Sequence, residues 1–164
     1  MAKTSGDVMA MLLQNLEQAY HRRSWHGPNL KGSIRGLSAA QAAWKPSRDR
    51  KGIWEITLHA AYYKYVVRRR LLGEKRGSFP LTGSNWFSLP KPITEKAWRE
   101  ATAILEGEHV KLRRAIESTR ESELAATRGG PSVTVLDLIL GVAHHDVYHA
   151  GQIQLLKRLQ HSGG

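Results

Sequence analysis

The chain has 164 residues and an apolar content of 41%, which suits one continuous core but not two, so a single domain over residues 1–164 is expected. No run of roughly 18 uncharged apolar residues exists that could span a bilayer. The N-terminus Met1-Ala2-Lys3-Thr4-Ser5-Gly6-Asp7 lacks the apolar stretch of a secretory signal and the chain has no cysteine, which points to a cytoplasmic protein without disulfides or thiolate chemistry of its own.

The first element opens at Thr4-Ser5-Gly6-Asp7, a candidate capping box. Val8, Met9, Leu12, Leu13, Leu16, Ala19 and Tyr20 follow at helical spacing, with Gln14, Glu17, Gln18 and Arg22 on the side expected to face water. The pattern fails at Trp25-His26-Gly27-Pro28-Asn29, where a loop begins. Ser38 and Gln41 frame a capping box for a short helix that Pro46 ends. From about Gly52 to Leu72 the apolar positions Ile53, Ile56, Ala60, Tyr63, Val67 and Leu71 predict a long helix stopped by Gly73. Residues 74–92 read as a long loop anchored by Trp86-Phe87. Thr94 then caps a helix with the stripe Trp98, Ala101, Leu105, Leu112, Ala115 and Ile116. Gly129-Gly130-Pro131 breaks the chain before a last helix, which Thr134 and Asp137 start as a capping box, with Val133 and Leu138 as a hydrophobic staple. Four long helices and no sustained alternating pattern predict an all-α four-helix bundle.

The last helix carries the informative anomaly. Its inward seam runs Val135, Leu138, Val142, His145, His149, Gln152, Leu156 and Leu159, an apolar row interrupted by two imidazoles and a carboxamide. A buried polar group left unpaired costs on the order of 1–3 kcal/mol, so something must compensate them. His145 and His149, one turn apart, lie only about 40° apart around the helix and can reach a common ion. His59 falls between Ile56 and Tyr63 on the inward face of the helix spanning Gly52 to Leu72, which supplies a third ligand. Three neutral imidazoles suit one divalent transition metal, zinc, nickel, iron or copper, and leave a coordination position open for water or substrate. The bland reading is three hydrogen-bonded core histidines.

Neighbouring residues are assigned by the same spacing. His144 is one residue off the seam and falls on the flank, while Asp146 and Glu55 have two equal readings, orienting a ligand imidazole by accepting its remaining N–H or standing as solvated helix carboxylates. His-Glu-x-x-His is absent, and Glu106-Gly-Glu-His109 is a lone Glu-x-x-His unit where a di-iron site needs two, so His109 reads as a satisfied polar group. No phosphate-cradling glycine motif occurs. His26 with Gly27, Tyr63, Trp86 and Gln152 are the candidate pocket lining. The net charge of +11 brings in nucleic acid, anionic metabolites and acidic partners, but the densest basic runs, Arg68-Arg69-Arg70 and Arg48-Asp49-Arg50-Lys51, are not interleaved with aromatics and read as solvated faces.

His145-Asp-Val-Tyr-His149-Ala-Gly151-Gln152-Ile153, together with Trp54-Glu-Ile-Thr-Leu-His59, Leu37-Ser-x-x-Gln41-x-x-Trp44-x-Pro46 and Trp98, resembles the DinB/YfiT-like metalloprotein superfamily, which is distinct from the DNA polymerase of similar name. The resemblance covers nearly the whole chain. It implies an up-down-down-up bundle with a nickel- or zinc-type ion on His59, His145 and His149, often in a homodimer. Members with assigned activities include S-transferases and isomerases that use low-molecular-weight thiols, while many others are known only as metal-dependent hydrolases. The reaction itself does not carry over; the common element is an ion that activates a bound water or a small thiol as the nucleophile toward a small-molecule substrate. The alternative is a non-catalytic basic module for nucleic acid or a protein partner, whose affinity would fall steeply with salt.

Overall fold

The computed structural model describes residues 5–83 and 85–162, and these are mostly helical. In chain order come α1 (Ser5–Tyr20), α2 (Leu30–Ile34), α3 (Ala39–Ala43), α4 (Ile53–Leu72) and α5 (Glu95–Glu117). A single 3-10 turn at Glu121–Glu123 and an antiparallel ribbon, β1 (Thr127–Gly130) with β2 (Val133–Thr134), lead into α6 (Val135–Ser162). The four long helices α1, α4, α5 and α6 and the short α3 sit where periodicity predicts them, whereas α2 and the ribbon were not expected. The capping box expected at Thr4–Asp7 lies outside the described residues. Among the described residues no helix is long and apolar enough to cross a membrane.

Local chemistry sets the boundaries. Ser38 accepts from Gln41 N while the Gln41 carboxamide accepts from Ser38 N, which closes the start of α3. Thr94 accepts from Ala97 N at α5, and Thr134 with Asp137 close the start of α6 in the same reciprocal way. At α4 the capping residue is Gly52, whose N–H donates to Glu55 at 2.9 Å. A Cβ there would stand 2.6 Å from the Trp44 carbonyl oxygen, so the close approach of α3 to α4 requires glycine. Gly73 ends α4 in the left-handed conformation at φ 68°.

The core forms two apolar clusters, one around Trp54, Leu58, Trp98, Leu105 and Ile153 and the other around Leu16, Val67, Leu112, Ile116, Ile139 and Val142. Each long helix crosses from one to the other at buried polar residues: Glu17 on α1, Lys64 on α4, Glu108 and His109 on α5, and Asp146 on α6. α1 and α6 run from the second cluster toward the first, while α4 and α5 run the opposite way. The polar layer satisfies itself largely by ion pairing between helices. Lys64 binds Asp146, both fully buried, and Arg68 Nε donates to Glu108 at 3.4 Å.

Two expectations fail in this layer and a third near the end of α6. Glu17 is buried because His109, His21 and Arg113 surround its carboxylate at 3.2–3.3 Å. Arg68 is likewise buried between Glu108 and Glu74, so the Arg68-Arg69-Arg70 run is not wholly a solvated face. The inward seam of α6 holds through Leu156 but not at Leu159, which is 42% exposed.

Candidate metal centre

Helix α4 presents His59 and helix α6 presents His145 and His149 one turn apart, and the three rings meet at the border of the first apolar cluster. His145 Nε2 lies 3.3 Å from His59 Nε2 and 3.0 Å from His149 Nε2. Three imidazole nitrogens thus converge on one point, as the seam on α6 and the phase of α4 predict.

The rings are held from behind. His59 Nδ1–H donates to the Asn85 carbonyl oxygen at 3.0 Å, and His149 Nδ1–H donates to Gln152 Oε1 at 2.7 Å. Gln152 is itself fixed by donating to the Tyr148 hydroxyl at 3.0 Å. These bonds place a proton on each Nδ1 and leave the Nε2 lone pairs of His59 and His149 facing His145. Trp86 stacks on His59 with centroids 3.9 Å apart, and Tyr63 packs 4.8 Å from both His59 and His145. The Tyr63 hydroxyl accepts from Asn85 Nδ2 at 3.2 Å, which steadies the segment that supplies the carbonyl.

Neither carboxylate considered as an orienting partner stands behind the histidines. Asp146 is turned into the core against Lys64, and Glu55 is taken up by Lys45, Lys51 and Gly52 N. The buried Nδ1 of His145 has no hydrogen-bond partner among the described residues. His144 is exposed, as its off-seam position predicts.

Burial keeps all three imidazoles neutral. His145 is pushed down to about 3 by desolvation, reinforced by His149, His59 and Lys64. His149 falls to about 4, again through desolvation, with the Gln152 hydrogen bond opposing. His59 is lowered by burial against the opposing pull of the Asn85 carbonyl. One N–H on His145 Nε2 can serve only one of two facing lone pairs, so without a cation the cluster leaves an acceptor unmatched. Nitrogens about 2.0–2.1 Å from one tetrahedral ion would be about 3.4 Å apart, close to the observed separations. The donor set therefore fits a divalent transition metal.

A cleft of about 530 Å³ adjoins the centre, lined by Trp86 and Gln152 on the histidine side, by Ile56, Leu155, Leu156 and Leu159, and by Asp49, Arg50 and Lys51 at its rim. Two of the candidate lining residues are thus placed, and Tyr63 packs directly on the ligand rings. His26 and Gly27 lie in the exposed turn after α1 and are not part of the cleft wall. A second convergence, Glu17 with His21 and His109, suits a cation less well, because Arg113 already stands 3.2 Å from the carboxylate.

Mostly helical, with three neutral imidazoles brought together from two helices, the protein falls in the class of helical proteins with a tri-histidine centre. Its chain belongs to the DinB superfamily, whose profile matches residues 22–153. The crystal structure of a conserved protein from Enterococcus faecalis is similar in fold at a TM-score of 0.65 and 13% identity, the match covering 96% of this chain and 98% of that one. No curated protein sequence matches the chain.

Proposed function

We propose that the protein is a metal-dependent enzyme of hydrolase or thiol-transferase type, with one divalent transition metal, zinc or nickel in first place and iron or copper after them, on His59, His145 and His149. The observation that carries this reading is the convergence of three Nε2 atoms within 3.0–3.3 Å along the His59–His145–His149 chain. When bound, the ion would supply Lewis acidity, lowering the pKa of a water or small thiol.

The chain's own residues divide the remaining work. Asn85 and Gln152 orient the two outer rings, and Trp86 covers one face of His59. The cleft beside Trp86 and Gln152 offers an apolar wall for the substrate body and Arg50 with Lys51 for an anionic end. With no cysteine in the chain, a sulfur nucleophile would have to arrive as a small thiol.

The same reading takes the chain as one domain, an up-down-down-up four-helix bundle. Its support is the opposite running of α1 and α6 against α4 and α5 between the two clusters, and the near end-to-end match to a single solved chain. Homodimerisation is supported by Tyr148, Leu155 and Leu159, which expose an apolar row on α6 at 42–63%.

Elemental analysis of untagged protein tests the assignment. About one equivalent of metal is expected per chain, falling to near zero in His145→Ala and in His149→Ala, as removal of one of three protein ligands dictates. Stoichiometric metal retained undiminished in both variants would reject it.

A further inference from the structure

A second cleft, of about 380 Å³, lies on the outer side of α4, and none of the three histidines lines it. Its cationic residues are Arg69 and Arg70 near the end of α4 and Arg76 from the loop that follows. Its aromatic residues are Tyr62, Tyr65 and Phe79, whose rings stand 5.3–5.8 Å apart. Among the described residues no carboxylate lines the cleft. Tyr62, Tyr65 and Arg69 fall at helical steps of three and four, so α4 supplies the alternation of aromatic and cation that the linear run lacks.

The charges here are not spent on one another. Arg68, next in the chain, is consumed by Glu74 and Glu108, but the guanidinium groups of Arg70 and Arg76 make no ion pair or hydrogen bond among the described residues. Arg69 donates through Nη1 to the Glu74 carbonyl at 3.0 Å, while its Nε is buried and has no acceptor. The loop is anchored over the helix, since Gly77 N–H donates to the Tyr65 hydroxyl at 3.0 Å.

We infer that this cleft binds a small aromatic phosphate, a nucleoside monophosphate being the simplest probe. Three guanidinium groups match a phosphate, which carries close to two negative charges and three strong acceptor oxygens, better than they match a single carboxylate. Tyr65 is buried behind the wall, so the half-buried rings of Tyr62 and Phe79 are the ones a planar base would meet. The volume is at the lower end of small-molecule sites and suits one nucleotide rather than a strand.

Isothermal titration of the full chain with AMP, adenosine and inorganic phosphate at physiological salt tests the inference. AMP should bind saturably and about tenfold or more tighter than phosphate, the contribution expected of one stacked base. Arg70→Gln/Arg76→Gln should weaken AMP by about tenfold or more, as loss of charge-assisted hydrogen bonds predicts. Lys96→Gln/Arg99→Gln, which removes the same charge from exposed positions on α5, should leave AMP binding unchanged. Equal affinity for phosphate and AMP in the parent protein overturns the aromatic part, and equal losses in the two double variants reduce the effect to net charge. An oligothymidylate that binds as tightly as AMP overturns the small-ligand assignment in favour of backbone recognition. The metal content of His145→Ala does not enter any of these readouts, so the two functional readings fail separately.

Discussion

At the residue scale, the centre depends on what holds each ring as much as on the rings. Gln152 accepts from His149 Nδ1 at 2.7 Å and is half-buried at the cleft wall, so it can be changed without opening the core. Gln152→Leu is expected to weaken metal binding by about 10–100-fold, the usual cost of losing such an outer partner. Competition against a chelator measures this, and the metal-free melting curve should be unchanged. An unaltered affinity would make Gln152 a bystander. The three converging histidines were legible in the sequence because polar residues on an apolar seam stand out. Trp86 and Gln152 were marked as pocket lining, but the Asn85 carbonyl was not, since a main-chain acceptor leaves no trace in residue identity. Asp146 misled for a related reason: its partner Lys64 is 82 residues distant, and adjacency to His145 says nothing about where the carboxylate turns.

At the element scale, the buried Lys64–Asp146 pair ties α4, which carries His59, to α6, which carries His145 and His149. Burial pushes the Asp146 carboxyl up and Lys64 opposes it, so the pair is stable only as a pair. Lys64→Met should therefore destabilise the fold by about 3–5 kcal/mol, whereas Lys64→Met with Asp146→Leu should recover most of that loss. Denaturant unfolding of the two variants decides it, and a double variant no better than the single would show that the charges contribute more than mutual compensation. Long elements were legible because caps and stripes repeat the same message, as at Thr94 and Thr134. The short α2 was not. Its Asn29 accepts from Gly32 N, and Gln154 and Lys157 of α6 reach Ser33 at 3.2 Å, so a distant helix helps to hold a five-residue segment that has no stripe of its own. The ribbon β1–β2 spans too few residues for alternation to show, and the glycines that suggested a break lie within it.

At the scale of the whole molecule, a polar layer between two apolar clusters makes stability depend on pH. His109 lies in that layer, 3% exposed, stacked on Tyr20 with centroids 3.7 Å apart and donating through Nε2 to Glu17 at 3.3 Å. Burial, followed by the positive fields of Lys64, His21, Lys31 and Arg113, holds it down to about 2 from an ordinary 6.5, in spite of the Glu17 carboxylate. Below pH 6.5 the unfolded chain therefore takes up a proton that the folded chain refuses. The unfolded state binds more protons throughout that window, so stability rises with pH there. The contribution is complete above about 6.5 and is lost progressively as the pH falls toward the folded value. Between pH 7 and pH 5 one such histidine removes about 2 kcal/mol. His109→Gln keeps an N–H for Glu17 but cannot titrate, so its loss of stability over the same interval should be smaller than that of the parent by about that amount. Urea unfolding of both proteins at the two pH values, with chelator present so that protonation of His59, His145 and His149 is common to both, makes the comparison. Parallel losses in the two proteins would mean that His109 takes its proton without unfolding the layer, and the burial of Glu17 beside it would then be the feature that tolerates the charge.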